Sequence, residues 1–90
     1  MNKSNIKLDE HSIDIIDAVN AERARAGLTG KQLAQSLGHD RNWIYERFRH
    51  EKPFDTDDLA GIASTLGTTV DVIFRSARIG HEIRTQAVAA

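Results

Sequence analysis

The stretch RNWIYERFR, residues 41–49, concentrates hydrogen-bonding side chains beside two regularly spaced apolar ones. Ile44 and Phe48 stand four apart and mark one face of a helix, at about 100° per residue. Asn42, Glu46 and Arg49 then fall on the opposite face. Tyr45 lies at its flank, and Arg41 sits at the helix start, where a long side chain reaches furthest. The chemistry of this set is that of base-edge recognition. A guanidinium can hold guanine O6 and N7 together, a carboxamide can pair with adenine, and a carboxylate can accept from cytosine N4. Arg41, Asn42 and Glu46 carry groups suited to such contacts, with Tyr45 beside them. Thr29, Lys31, Arg49 and Lys52 are candidate phosphate contacts, which place a protein on a duplex without reading its sequence. Plainer readings stand beside these. Arg41 and Asn42 also suit a solvated first turn, Tyr45 a packed flank, and Glu46 an ion pair with Arg49 three residues on. Trp43 reads as a packing residue, and Arg47 as a long chain lying over the edge of the core.

Other chemistries find no support. The four histidines, His11, His39, His50 and His81, show no metal-site spacing among themselves or with carboxylates. No cysteine is present, which leaves out disulfides, Cys-based zinc sites and thiol nucleophiles and suits a reducing cytoplasm. No serine stands in an elbow-like context, and no glycine-rich phosphate loop follows a strand. The pair Asp57–Asp58 reads as a helix N-terminal run favoured by the helix dipole. The expectation is a protein that is not an enzyme, with no metal, cofactor or small-molecule ligand. No apolar run reaches membrane-spanning length and the N-terminal stretch is polar, so no membrane partner is expected.

The elements that must position residues 41–49 can be read from caps and periodicity. A first helix is expected from an N-cap near Ser12, with Ile13, Ile15, Ile16 and Val19 as its apolar stripe, ending before Gly27. Thr29 and Gln32 stand in capping-box spacing at the start of a second helix that buries Leu33, Ala34 and Leu37. Gly38 then permits the left-handed residue of a sharp turn, and Asp40 caps a third helix running to about Arg49. Asp55 or Thr56 caps a fourth, with Leu59, Ile62, Ala63 and Leu66 inward. After Gly67, Thr68 or Thr69 caps a short fifth helix carrying Val70, Ile73 and Phe74. The fold class expected is all-α, a five-helix bundle with a short C-terminal extension. Residues 1–11 read as a flexible lead, 12–76 as the domain, and 77–90 as a tail, with Gly80 interrupting any continuous helix.

Between residues 29 and 48 the spacing has a steric cause. Two short helices packed closely at a steep angle need a small residue at their contact, a turn residue tolerant of positive φ, and an aliphatic anchor on the second helix. Ala34, Gly38 and Ile44 supply these in order, and the second helix is left protruding as a helix-turn-helix. With Arg23 before Gly-Leu-Thr, the run QLAQSLG, the Ile44 anchor and the closing LAGIASTLGTTVDVIF, the sequence resembles the phage repressor and Cro-type helix-turn-helix proteins, the xenobiotic-response-element family. The resemblance spans residues 13–74 and implies a repressor-like bundle that binds double-stranded DNA, with positions 41, 42, 45 and 46 matching the base readers. Arg23 is added as a further phosphate contact, an ordinary surface group being its other reading. Departures are Gly30 where the family often has a phosphate-gripping glutamine, His39 and Arg47 at usually apolar positions, and Phe48 where a glutamate often pairs with the helix-one arginine. Phe48 must then take over the packing that Arg47 does not supply.

Net charge is −1 over 90 residues, which is not the basic balance of most nucleic-acid binders. The distribution is uneven. Residues 28–54 hold five basic groups against three acidic ones, residues 55–74 none against four, and residues 75–90 three against one. The functional expectation is a sequence-specific DNA-binding transcriptional regulator, a repressor of phage, prophage or bacterial origin, cytoplasmic, acting as a homodimer. Val70, Ile73, Phe74, Ile79 and Ile83 are the candidate dimerisation residues. The alternative of a different class is a protein-interaction module on the same fold, an antitoxin or adaptor whose surface covers a protein partner.

Overall fold

The computed structural model describes residues 7–89, and these form five helices and no strand. They are α1 Glu10–Arg25, α2 Gly30–Ser36, α3 Arg41–Phe48, α4 Thr56–Leu66 and α5 Val70–Ala89. Residues 1–6 of the expected flexible lead lie outside the described residues. Of the rest of that lead, Glu10 and His11 belong to α1, because Asp9 and not Ser12 is the N-cap: its carboxylate accepts the backbone N–H of His11 at 2.7 Å. An aspartate also adds its charge to the positive end of the helix dipole, and this draws the helix start to Asp9.

The other starts are where their caps place them. Thr29 and Gln32 form a complete capping box, with Gln32 N–H on Thr29 Oγ1 at 3.0 Å and Thr29 N–H on Gln32 Oε1 at 2.8 Å. Asp40 accepts from Trp43 N–H at the head of α3. Asp55 and Asp58 close a second box on α4, and Thr69 accepts from Val72 N–H at the head of α5. Gly38 and Gly67 adopt φ of +78° and +69°, the left-handed region that ends α2 and α4. α3 ends differently, through His50 at φ +64°, a conformation uncommon outside glycine and asparagine.

Every helix contributes to one core. Ala18 and Val19 of α1, Leu33 and Ala34 of α2, Ile44 of α3, Leu59, Ile62 and Ala63 of α4, and Ile73 and Ala77 of α5 form a single buried cluster. Trp43, Tyr45, Phe48, Phe54 and Val70 pack against it half-buried, so Phe48 does take the packing that Arg47 leaves.

The fifth helix is not short. It runs 20 residues, straight through Gly80, and absorbs the segment expected as a separate tail. A helix-interior glycine costs roughly 0.5–1 kcal/mol relative to alanine, and contacts to α1 offset it. Ala77 is the last side chain of α5 in the core; beyond it the attachment to α1 is electrostatic. Arg84 Nη2 donates to Asp14 Oδ1, His81 Nδ1 lies 3.0 Å from Asp14 Oδ2, and Arg84 Nη1 lies 3.8 Å from Asp17 Oδ2. Asp14 is buried, so these partners are what makes its burial tolerable. Gly80 leaves room for Arg84 to fold back, since a Cβ there would stand 3.3 Å from Arg84 Nη1. The same Asp17 takes His50 Nε2 on its Oδ1 at 2.7 Å, tying the end of α3 to α1.

Asp14→Ala is expected to release the distal half of α5. Amide exchange should quicken from about Gly80 onward while the amides around Ile62 keep their protection, with a loss of about 1–3 kcal/mol in urea unfolding. Unaltered exchange over that half would show that something other than Asp14 holds it.

Candidate nucleic-acid interface

α3 presents one fully buried side chain, Ile44 at 0% exposure. Phe48 lies one turn on, half-buried against the core. This fixes the rotation of the helix and turns Arg41 and Asn42 outward, both exposed. Arg41, Asn42, Tyr45 and Arg49 line an open concavity on the outer face together with Asp40. Three of the four expected base contacts are thus brought together with one expected phosphate contact. The guanidinium of Arg41 stands over the Tyr45 ring, 5.4 Å from its centroid, and Tyr45 meets Phe48 edge-on at 6.0 Å. Tyr45 is therefore both the packed flank and part of the outer surface.

Glu46 is placed differently. It is half-buried and outside the concavity, and its carboxylate lies 3.4 Å from Lys52 Nζ. Its ion-pair partner is Lys52 rather than Arg49. Arg49 pairs instead with Glu51, at 2.8 Å and 3.2 Å through two nitrogens. The hydrogen bond from Arg49 holds the Glu51 carboxyl below its ordinary value and raises Arg49 in turn. The pair accordingly stands at neutral pH and is lost only as the pH falls through that depressed value. Two expected phosphate contacts are thus exposed but already engaged. Lys31 and Thr29 remain exposed at the head of α2.

Arg23 does not lie free for phosphate. Its Nη1 donates to the Leu28 carbonyl at 2.6 Å, its Nε to Asn20 Oδ1 at 2.9 Å, and its guanidinium sits 5.9 Å from the Phe48 ring centroid. It closes the turn between α1 and α2 and covers the aromatic that replaces the acidic partner. Arg47 lies over the edge of the core as expected, but with a specific seat. It stacks 4.1 Å from the Trp43 centroid and donates from Nη1 to the Trp43 carbonyl, while its buried Nε has no hydrogen-bond partner. His39 stacks on the same indole at 4.0 Å, 4° from parallel. Residues 39, 43 and 47 are four apart, so histidine and arginine take opposite faces of the ring. The spacing held this pattern, but neither His39 nor Arg47 is apolar, so polarity alone hid it.

Among the proposed dimerisation residues, Ile73 is corrected. It is a core residue at 0% exposure and offers nothing to a second chain. Val70 is half-buried against the core. Phe74, Ile79 and Ile83 are exposed at 44%, 51% and 60%. Among the described residues no group of three or more His, Cys, Asp or Glu is arranged to hold a metal ion, and no helix is long and apolar enough to cross a membrane.

No family model matches the chain, and no curated protein does. The fold is shared with solved structures. The crystal structure of the clp gene regulator ClgR from Corynebacterium glutamicum matches with a TM-score of 0.80 at 19% identity, covering 93% of this chain and 88% of that one. A second ClgR crystal structure gives 0.69 at 22% identity, over 82% of this chain and 94% of that one. The likeness establishes the helical architecture over nearly the whole chain; at this identity it is a likeness of fold.

The altered role of Arg23 is measurable. Arg23→Ala should cost about 1.5–3 kcal/mol in urea unfolding, as befits charged hydrogen bonds at a partly buried turn. Lys31→Ala should stay within about 0.5 kcal/mol, as an exposed residue. Equal, small losses for both would return Arg23 to the surface.

Proposed function

We propose that the chain is a sequence-specific DNA-binding transcriptional regulator that lays α3 in the major groove, with Arg41, Asn42 and Tyr45 toward base edges. The observation that carries this reading is the outer face of α3. A single buried anchor leaves a guanidinium and a carboxamide, the groups that read guanine and adenine, beside a phenol on a protruding helix. The likeness of fold to a clp gene regulator supports it. Lys31 and Thr29 supply phosphate contacts directly, and Arg49 and Lys52 do so by exchanging carboxylate partners for phosphate. Glu46 reaches a cytosine only if it leaves Lys52.

The finer reading is a repressor of phage, prophage or bacterial origin, working in the cytoplasm by covering a promoter, with no catalysis and no cofactor. It binds as a homodimer through the exposed Phe74, Ile79 and Ile83 of α5. Two copies of so small a domain read two half-sites, which raises affinity and selectivity together. The rival is a protein-interaction module, an antitoxin or adaptor. The pairing of Arg49 and Lys52 with Glu51 and Glu46 favours it, since it lowers the free positive charge near α3.

Selection from a random duplex library near physiological salt separates the two. Enrichment of a two-fold-symmetric site is the expected outcome; no enrichment, with no salt-dependent retention of any duplex, favours the interaction module. On the selected site, Arg41→Ala should cost about 1–3 kcal/mol and relax one base position, whereas Lys31→Ala should weaken all duplexes alike and lower the salt slope by about one. Ile83→Asp should convert a dimer in sedimentation equilibrium to a monomer and weaken the symmetric site far more than a half-site.

A further inference from the structure

Gly30 is the first residue of α2, buried, and its backbone is not in the left-handed region. Nothing in its φ calls for glycine, and glycine is a poor helix former. The reason for it stands on α3. A Cβ at position 30 would lie 2.9 Å from both Cζ and Oη of Tyr45 and 3.2 Å from its Cε1. The phenol ring occupies the space a side chain would take. Tyr45 is thereby held from three sides. The α2 backbone lies under the ring tip, Phe48 meets it edge-on at 6.0 Å, and Arg41 lies over it at 5.4 Å.

We infer that Gly30 is a specificity-determining position that acts through Tyr45 on Arg41. The slot at Gly30 sets the ring, and the ring sets the direction from which the Arg41 guanidinium approaches a base edge. This rests on the DNA-binding reading above. A methyl group at position 30 cannot be absorbed by α2, whose first turn is fixed by the Thr29–Gln32 capping box. Phe48, edge-on to the ring at 6.0 Å, hinders its movement on that side. The ring moves outward into the concavity that Arg41 and Asn42 line, and carries the cation–π seat of Arg41 with it. Bidentate recognition tolerates little angular error, so the loss falls on base discrimination rather than on overall attraction to the duplex.

The test compares Gly30→Ala, Arg41→Ala, Tyr45→Leu and the double variant Gly30→Ala/Tyr45→Leu on the selected duplex and its single-base substitutions. Gly30→Ala should relax the same base position as Arg41→Ala, by about tenfold, while affinity for unrelated duplex stays within about twofold and the far-UV spectrum and unfolding midpoint remain near wild type. In the Tyr45→Leu background the alanine should have no further effect. Tyr45 is the one tyrosine of the chain, so its ring resonances should shift in Gly30→Ala without any DNA present. A wild-type selectivity profile for Gly30→Ala, a relaxation at a different position, or one that persists beside Tyr45→Leu overturns the inference and leaves the DNA-binding reading intact. A wild-type chain that prefers no duplex overturns that reading, and is recognised before any variant is made.

Discussion

α3 is eight residues long, and an isolated helix of that length does not persist in water. What holds it is the insertion of Ile44 into the core that Leu33 and Ala34 of α2 share with α1, α4 and α5. With one side chain wholly buried, the helix has one rotational setting. Everything on its outer face takes its direction from there. The half-buried Trp43, Tyr45 and Phe48 flank the anchor and resist rolling to either side. Ala34, itself fully buried, permits the close approach that this insertion requires. A larger residue there would have to push α3 outward or displace Ile44.

The helix is secured at both ends by chemistry of different reach. Its start is local: Asp40 caps it, and Gly38 makes the turn. Its end is not. His50 takes a left-handed backbone conformation that is costly for most residues, and its ring is met by Asp17 from α1. Asp17 also lies near Arg84 of α5, and Asp14 one turn away takes Arg84 and His81. A single acidic edge of α1 therefore holds the tail of α3 and the distal half of α5 at once. Exposed ion pairs contribute little one by one, but Asp14 is buried, and several charges sharing one edge do more than isolated pairs.

This division explains what could be read from the sequence. The capping box at Thr29–Gln32, the Asp40 cap and the turns at Gly38 and Gly67 are local, and each was legible from residue type and spacing; at the head of α4 the spacing left Asp55 and Thr56 both open, and the part of Asp58 in closing a box was not read. The core positions of α2 and α4 and the outward setting of Arg41 and Asn42 were legible too. Most of what was misread involves a partner that the local residue pattern does not show. Gly80 looked like a helix stop because its compensation, Arg84 on Asp14, spans 70 residues. Ile73 looked like an interface residue because nothing in α5 alone says which side the core lies on. Arg23 looked like a phosphate ligand because its acceptor is the Leu28 carbonyl, which no side-chain pattern reveals. Gly30 stood out only as a departure from the family pattern, because the side chain that fills its place, Tyr45, comes from the next helix.

The near-neutral charge of the chain takes on a different meaning beside this geometry. A protein that grips DNA with free cations gains affinity from counterion release on any duplex, and its non-specific binding rises with its specific binding. Here Arg49 and Lys52 each have a carboxylate to leave before they can meet a phosphate. Exchanging one anion for another returns less than neutralising a bare phosphate. On the DNA-binding reading, the sequence-independent term is therefore held down, while Arg41 and Asn42, exposed on the outer face, retain their full readout. The ratio of specific to non-specific binding is what governs occupancy among a genome's competing sites. On that reading, the two committed cations beside α3 would raise the ratio without strengthening any base contact.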